Sequence, residues 1–504
     1  MTATDATREL GSFRAKFFLA FGSIGWGVKD AGITGLLLLF YTQVVGVSPQ
    51  LVSLAIGIAL VFDAVIDPII GIASDNWTSR WGRRLPFMYA AGIPVGLLYF
   101  ILWQPPHWSN TGLFLYLLVV AVAVRVFIAM FEIPSSALVP ELTTDYNKRT
   151  DFLNWRWFLG ILGAGFIWIT AFLFLLVPDK THPVGQLNPA GYPKYALLAS
   201  VVMTFSILVS CLGLHRYIPQ LIKTEPRYVS VSQFAREVWE TLKIRPFRIL
   251  VASGLFHGTI LGLNGAMAPI LLTYFWKLNN RQIALFGLVG GVGVLVAFLV
   301  VVPLTRYFEK KIAAIACSIT VFFVGSWPYA LALFGWTPDI AHHPALLYVL
   351  LGVFVAFGAL APAAAVLGSS MMADVVEYAA LQTGRRTEGT FFAAHSLINK
   401  SVSGLGIFLS GQILGFAGLH AHANPATLDP HVIYRLFIAL VPIGLLLHLG
   451  AFLAFIRYPI TRKDHETNVL RLNALAPSRV ATMDNAPSAK SDIGTARPVA
   501  SPAE

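Results

Sequence analysis

Asp63 and Asp67 stand four residues apart in an otherwise almost wholly apolar run, residues 51–73. On a helix their carboxylates share one face about one turn apart. Two such groups resist ionising together, so the pair can share a proton or hold a small cation between them. The alternative is permanent neutralisation by Arg125, Arg156 or Lys400 as structural salt bridges. Lys29, Asp30, Arg125, Glu132, Arg156 and Lys400 also fall in or beside apolar runs. Each of the eight charges costs about 2.5–3.5 kcal/mol at the centre of a spanning helix. Left unpaired they would cost roughly 20–28 kcal/mol, against the ~5–15 kcal/mol net stability of an ordinary fold. Four are cationic and four anionic, so they must pair or face water. A polar cavity among the first, second, fourth, fifth and eleventh spans is the simplest solution.

Arg125 and Glu132 are seven apart and share a helical face, with Glu132 just before Pro134, a residue that frees backbone groups and shapes cavities. Glu132 then either accepts hydrogen bonds from substrate hydroxyls or pairs with Arg125. Lys29 and Asp30 are adjacent, point in different directions and are each expected to need a partner. His257 and Asn264, two turns apart, offer polar contacts from further along the chain, although a buried histidine is as readily held by a backbone carbonyl. Trp26, Trp155 and Trp157 can pack on a sugar face or simply mark a membrane interface.

The elements that must position these groups follow from composition. Of 504 residues 56% are hydrophobic and 12% charged, about half the charged share of a soluble domain. A soluble fold is excluded. The apolar residues form twelve blocks of spanning length: roughly 15–45, 51–73, 86–104, 111–139, 156–177, 195–213, 248–275, 282–305, 312–334, 344–372, 391–416 and 432–456. The first carries Lys29 and Asp30 and lacks a small-residue cleavage site, so it reads as a span and not as a signal peptide. Assigned alternately, loops on one side hold 26 of the 36 lysines and arginines and those on the other side four. By the positive-inside rule both termini are cytoplasmic, which requires an even number of spans, and the expected location is the cell (inner) membrane as a multi-pass protein. The net charge of +11 then belongs to topology. Nucleic acid is not an expected partner, because no basic stretch is interleaved with stacking aromatics. Cys211 and Cys317 are too few for a disulfide framework or a thiolate metal site.

A charged connector divides the spans six and six. The expected organisation is an N-terminal six-helix bundle (1–213), a cytoplasmic loop (214–247), a C-terminal six-helix bundle (248–463) and a disordered cytoplasmic tail (464–504). A weak internal repeat agrees: Pro134 and Pro362 each open a stretch that runs through acidic and then basic loop residues into the next helix. No HExxH or GxSxG motif is present and the histidines lack ligand spacing, so no enzyme is expected.

The stretch DAVIDPIIGIASDNWTSRWGRRLPF, residues 63–87, resembles the glycoside–pentoside–hexuronide:cation symporters, the melibiose-permease branch of the major facilitator superfamily. The matching elements are Asp63, Asp67-Pro68, Gly71, Asp75, Ser79-Arg80, Gly82-Arg83 and Pro86. The resemblance continues at Lys29-Asp30, Glu132-Ile133-Pro134, Leu138-Val139-Pro140, Ala373-Asp374, Glu377-Tyr378, Arg386, Glu388 and Lys400. It implies an all-α, twelve-helix, two-bundle transporter that works by alternating access as a monomer without a cofactor, carrying a sugar or glycoside with a coupling cation. Asp30, Glu132 and Arg156 then match sugar-binding positions, with Lys29 and Arg125 beside them. Asp63 and Asp67 match the cation pair and Lys400 a lysine close to it. Asp75, Arg80, Arg83 and Arg84 match a motif whose charges hold the bundles together when the cytoplasmic side is closed.

Two departures bear on the ion. Melibiose permeases have Asn before the second Asp, where this chain has Ile66, and a helix-four Thr where it has Ala129. With two neutral oxygens gone, H⁺ is expected over Na⁺, and no metal beyond a Na⁺ at Asp63 and Asp67 is implied. An aromatic that stacks on the galactosyl ring is replaced by Ser136, which argues against melibiose itself. The competing readings are a uniporter, if Asp63 and Asp67 are locked in salt bridges, and a carrier of an amphipathic solute such as a lysolipid.

Overall fold

In the computed structural model, residues 12–143, 145–221, 231–383 and 388–472 are described. Among them no strand occurs, and twelve long helices follow in order: α1 (Phe13–Val45), α2 (Pro49–Asn76), α3 (Leu85–Leu102), α4 (Asn110–Leu142), α5 (Lys148–Leu175), α6 (Tyr192–His215), α7 (Arg245–Tyr274), α8 (Asn280–Tyr307), α9 (Lys310–Ala332), α10 (Ala345–Thr383), α11 (Glu388–Ala417) and α12 (Pro430–Ile456). Eleven are long and apolar enough to cross a membrane. The twelfth, α11, has 30 residues, and its apolar character is diluted by His395, Asn399, Lys400 and Gln412. A helix of 28 residues rises ~42 Å, more than the ~30 Å hydrocarbon thickness, so the ends stand in the interfacial zones.

Local sequence sets the ends. Ser109 caps α4 by accepting from the Gly112 amide at 3.3 Å. Asn279 and Gln282 form a reciprocal capping box on α8. Pro49 opens α2 at a position where its missing N–H costs nothing. Leu115, Val119, Leu212, Leu299 and Leu446 are more than half exposed, whereas Lys29, Asp63, Arg125, Arg156 and Asp374 are buried. That inversion suits a surface solvated by lipid tails.

α1 to α6 form one six-helix bundle and α7 to α12 the other. Their shared seams are α2 with α11, α5 with α8, and α1 with α7. The α2–α11 crossing is close because Gly57 faces Gly404: a Cβ on Gly404 would stand 3.0 Å from the Gly57 carbonyl oxygen. The face that carries the 77–84, 242–244 and 457–472 segments is called the terminal face, and the opposite one the distal face. At the distal face the halves are joined by hydrogen bonds. Gln43 Oε1 accepts from the Tyr274 hydroxyl at 2.8 Å and from the Ala423 amide at 3.2 Å. Gln186 donates to Thr273 and to the Leu278 carbonyl, Asn280 to the Phe172 carbonyl, and Trp168 to the Ile283 carbonyl.

Three features differ from the sequence expectation. α10 runs eleven residues past its expected end, because Asp374 and Glu377 find basic partners there. The connector contains an amphipathic helix, Val231–Thr241, packed on α11 and α2. The tail, expected to lack order from 464, is helical over 462–472. Thr461 and Asp464 cap that helix reciprocally, and His465 ties it to α10. The remainder of the tail and Arg386 lie outside the described residues.

Candidate functional site

The second-helix carboxylates are both paired. Arg125 of α4 donates from Nη1 to Asp63 Oδ2 at 3.2 Å. Lys400 of α11 donates to Asp67 Oδ2 and stands 3.8 Å from Asp63 Oδ2. The Lys400 ammonium thus occupies the space between the two carboxylates, and it belongs to the other half of the molecule. Asp63 is 5% exposed and Arg125 3%, so this four-charge cluster is neutral where water is scarce. Asp63 lies midway along α2, and the Lys400–Asp67 contact joins the halves at that depth. Ala129 is buried and Ile66 partly so. Neither adds an oxygen.

Arg125, expected among the sugar-binding residues, is therefore drawn to Asp63 and not to Glu132. Glu132 is half-buried and close enough to Arg156, Lys400 and Asp67 for charge interaction. Arg156 is 9% exposed. Its Nη2 reaches the Glu132 carbonyl only at 3.5 Å, and its Nη1 is buried without a hydrogen-bond partner. Lys29 and Asp30, expected to need separate partners, pair with each other at 2.6 Å. The flexible lysine stem spans the angle that separates neighbouring helical positions. Asp30 remains 41% exposed, at the point where α1 passes into π-helical turns over Ala31–Leu36 and again over Phe40–Val45. Such turns concentrate at functional sites.

Asp30 opens onto a cavity of about 510 Å³ that sequence reasoning did not foresee. Thr34 of α1, Asn264 of α7, Tyr329 of α9, Phe354 and Phe357 of α10 and His448 of α12 contribute to its largely apolar wall. Asn264 is thus brought to the site, whereas His257 faces a separate small pocket with His448. His448 donates from Nδ1 to the Gly444 carbonyl at 2.8 Å, so Nδ1 carries the proton. Trp26 and Trp157 meet edge to face at 5.1 Å, and Trp155 packs on Phe13.

The loop charges close locally. Arg84 donates to Asp75 at 2.8 Å and Arg83 to Glu141 at 2.7 Å, with Arg84 Nε 3.4 Å from the same carboxylate. Arg80 lies over Trp81. These contacts stay within the first half in this conformation. The second half repeats the device: Lys310, at the start of α9, donates to both oxygens of Asp374 near the end of α10, at 2.7 and 2.9 Å. Glu141 was not singled out from sequence. Its signal was the repeat itself, in which an acidic residue ends the fourth helix of each half. Asp374, Glu377 and His465 are the carboxylate and imidazole groups, among the described residues, close enough to share a metal. With Lys310 already on Asp374, they close as an ion-pair cluster.

Residues 18–462 match the family described as MFS/sugar transport protein. The chain belongs to that family. An uncharacterized symporter of Synechocystis sp. is 28% identical, covering 90% of this chain and 95% of the relative. The isoprimeverose transporter of Lactiplantibacillus pentosus is 26% identical over 77% and 78%. Sodium-dependent lysophosphatidylcholine symporter 1 of Gallus gallus is 24% identical over 93% and 90%. Among solved structures, the D-xylose-proton symporter superposes with a TM-score of 0.57 at 14% identity, covering 87% of this chain and 97% of that one, and it shares the fold. The protein is a multi-pass membrane transporter and not an enzyme.

Proposed function

We propose that this protein is a proton-coupled symporter of a sugar or glycoside. The observation that carries the reading is the Lys400 ammonium lodged between Asp63 and Asp67. A Na⁺ ion would have to displace that ammonium and would then find carboxylates without the neutral oxygens replaced by Ile66 and Ala129. A proton needs no such space. Protonation of Asp67 removes the charge that holds Lys400, and with it a link between α2 and α11, so that ion binding acts directly on the seam along which the halves tilt. Rocking of the halves 1–213 and 248–463 then exposes the site alternately.

Substrate hydroxyls are assigned to Asp30 and Glu132, and Arg156 supplies the buried Nη1 donor. Lys29 stands 2.6 Å from Asp30 and orients it. In this reading the terminal face is cytoplasmic, both termini lie on the cytoplasmic side of the inner membrane, and the distal hydrogen bonds make this the outwardly closed conformation. Asp75, Arg80, Arg83 and Arg84 exchange partners when the cytoplasmic side closes. The working unit is a monomer.

The test is external pH in lightly buffered, energy-depleted cells while glycosides, pentosides and uronides are added with and without Na⁺. Sugar-dependent alkalinisation that disappears in Asp63→Asn supports the proposal. Labelled sugar uptake with no pH change moves the reading to Na⁺ coupling or uniport. A second reading has its own support: the apolar 510 Å³ cavity beside Asp30 suits an amphipathic solute with a polar head, and a lysophosphatidylcholine symporter is among the relatives. Absence of any sugar uptake, with uptake of a lysolipid, would decide for it.

A further inference from the structure

Two grooves near the terminal face share one construction. Between α7 and α12, a cavity of about 490 Å³ is walled by Ile249, Ala252, Phe256, Leu453 and Ala454, with Arg245, Arg248 and Arg457 at its mouth. Between α1 and α6, a smaller one of about 240 Å³ is walled by Phe13, Phe17 and Phe18, with Arg14 and Arg216 at its mouth. In each, a phenylalanine from the first helix of the half lies where a glycine of the last helix has no side chain. A Cβ on Gly213 would stand 2.1 Å from the Phe18 ring, and one on Gly450 2.5 Å from the Phe256 ring.

The arginines keep the same order. Arg14 precedes Phe18 by four residues and Arg216 follows Gly213 by three, whereas Arg248 precedes Phe256 by eight and Arg457 follows Gly450 by seven. Both walls of the second groove are thus four residues longer. One added helical turn, ~6 Å, makes it deeper, in keeping with its larger volume. Leu212 and Leu453 beside the grooves are exposed, as lipid-facing residues are.

The guanidiniums at these mouths are exposed. Among the described residues none of the five has a carboxylate partner. Arg457 donates to the Leu453 carbonyl at 3.1 Å, and Arg216 lies over the Phe18 and Tyr217 rings. An apolar groove beneath a cluster of guanidiniums without carboxylate partners complements an acyl chain attached to an anionic headgroup. We propose that each groove seats one anionic phospholipid of the leaflet at the terminal face, its phosphate on the arginines and an acyl chain against the phenylalanine, with the α7–α12 site the tighter. This site is independent of the transport reading.

The experiment is native mass spectrometry of the purified protein titrated with phosphatidylglycerol, and with phosphatidylcholine of the same chains. Two retained phosphatidylglycerols are expected per chain. Each arginine near a charged lipid surface strengthens binding about fivefold. Replacing Arg245, Arg248 and Arg457 together by Gln should therefore weaken the tighter site on the order of a hundredfold, and Arg14→Gln with Arg216→Gln should remove the other. Lysine at the same five positions should retain most binding. Gln at Arg462, Lys463 and Arg471, three other cations of that face, should leave it unchanged. If the triple variant does not fold, Ala252→Trp, which fills the groove and spares the arginines, must displace the lipid. Equal retention of phosphatidylcholine, indifference to the arginine or Trp substitutions, equal loss in the control triple, or displacement by millimolar inorganic phosphate would overturn the proposal.

Discussion

Removal of the Lys400 ammonium tests the central geometry most directly. Lys400 stands 3.8 Å from Asp63 and is hydrogen-bonded to Asp67. At an effective dielectric near 20, a unit pair at 4 Å is worth about 4 kcal/mol. Lys400→Met leaves two carboxylates facing the single Arg125 charge, and stranding one buried charge costs about 3–5 kcal/mol. The Lys400 side chain is 30% exposed and that of Asp67 14%, so solvent reduces the expected loss to about 2–4 kcal/mol. Adding Asp67→Asn restores neutrality, leaves the Arg125–Asp63 pair intact and should recover all but about 1 kcal/mol. Cys211 and Cys317 are both buried, so thermal unfolding in detergent is read by their reaction with a thiol-sensitive dye. A double variant no more stable than Lys400→Met alone would refute the pairing. So would a single variant within about 0.5 kcal/mol of the parent, the range of an ordinary surface change.

Gly411→Val should open the distal seam, because a Cβ there would lie 2.3 Å from the Pro49 carbonyl oxygen. Labelling of a cysteine placed at buried Gln43 from the distal side should rise several-fold, and unchanged labelling would count against that closure. Tyr274→Phe removes the hydroxyl that reaches Gln43 and the Ala423 carbonyl and should act in the same direction, weakening the closed state by about 1–2 kcal/mol. Glu141→Ala takes away the carboxylate that Arg83 and Arg84 share and should destabilise the first half by about 2–4 kcal/mol, read by the same dye assay, with Glu141→Gln less harmful. In the 176–188 loop, the Thr181 hydroxyl and the His182 and Thr181 amides hold the Asp179 carboxyl down at about 2. A depressed carboxyl stabilises the fold above its unfolded value and loses that effect as pH falls through the folded one. The loop should therefore resist proteolysis unchanged between pH 8 and 5, and Asp179→Asn should be cut faster across that whole range.

Much of the fold was legible because lipid imposes a simple rule: a spanning segment must satisfy its backbone internally and present apolar side chains. Twelve blocks could be counted, and the eight charges in or beside them had to mark a polar interior. α11 shows the limit of hydropathy, since His395, Asn399, Lys400 and Gln412 dilute its apolar character. The end of α10 and the helix at 462–472 were missed for a related reason. Their stability comes from Asp374, Glu377, Lys310 and His465 meeting across distant segments, and no local propensity reports such a meeting.

Sequence alone pointed to a membrane chain of twelve apolar blocks in two halves, and to charges in the first half that need partners. Those conclusions follow from residue type and spacing, which act within a turn or two of helix. Which cation meets which carboxylate was decided only in three dimensions. Arg125 could reach Glu132 along its own helix or Asp63 across a seam, and Lys29 and Asp30 could diverge or fold together. Charges in a low-dielectric interior take the partners that packing brings within about 4 Å. That packing rests on crossings such as Gly57 against Gly404, residues more than three hundred apart in the chain. The 510 Å³ cavity and the two arginine-mouthed grooves likewise exist only between helices, where no single segment carries their shape.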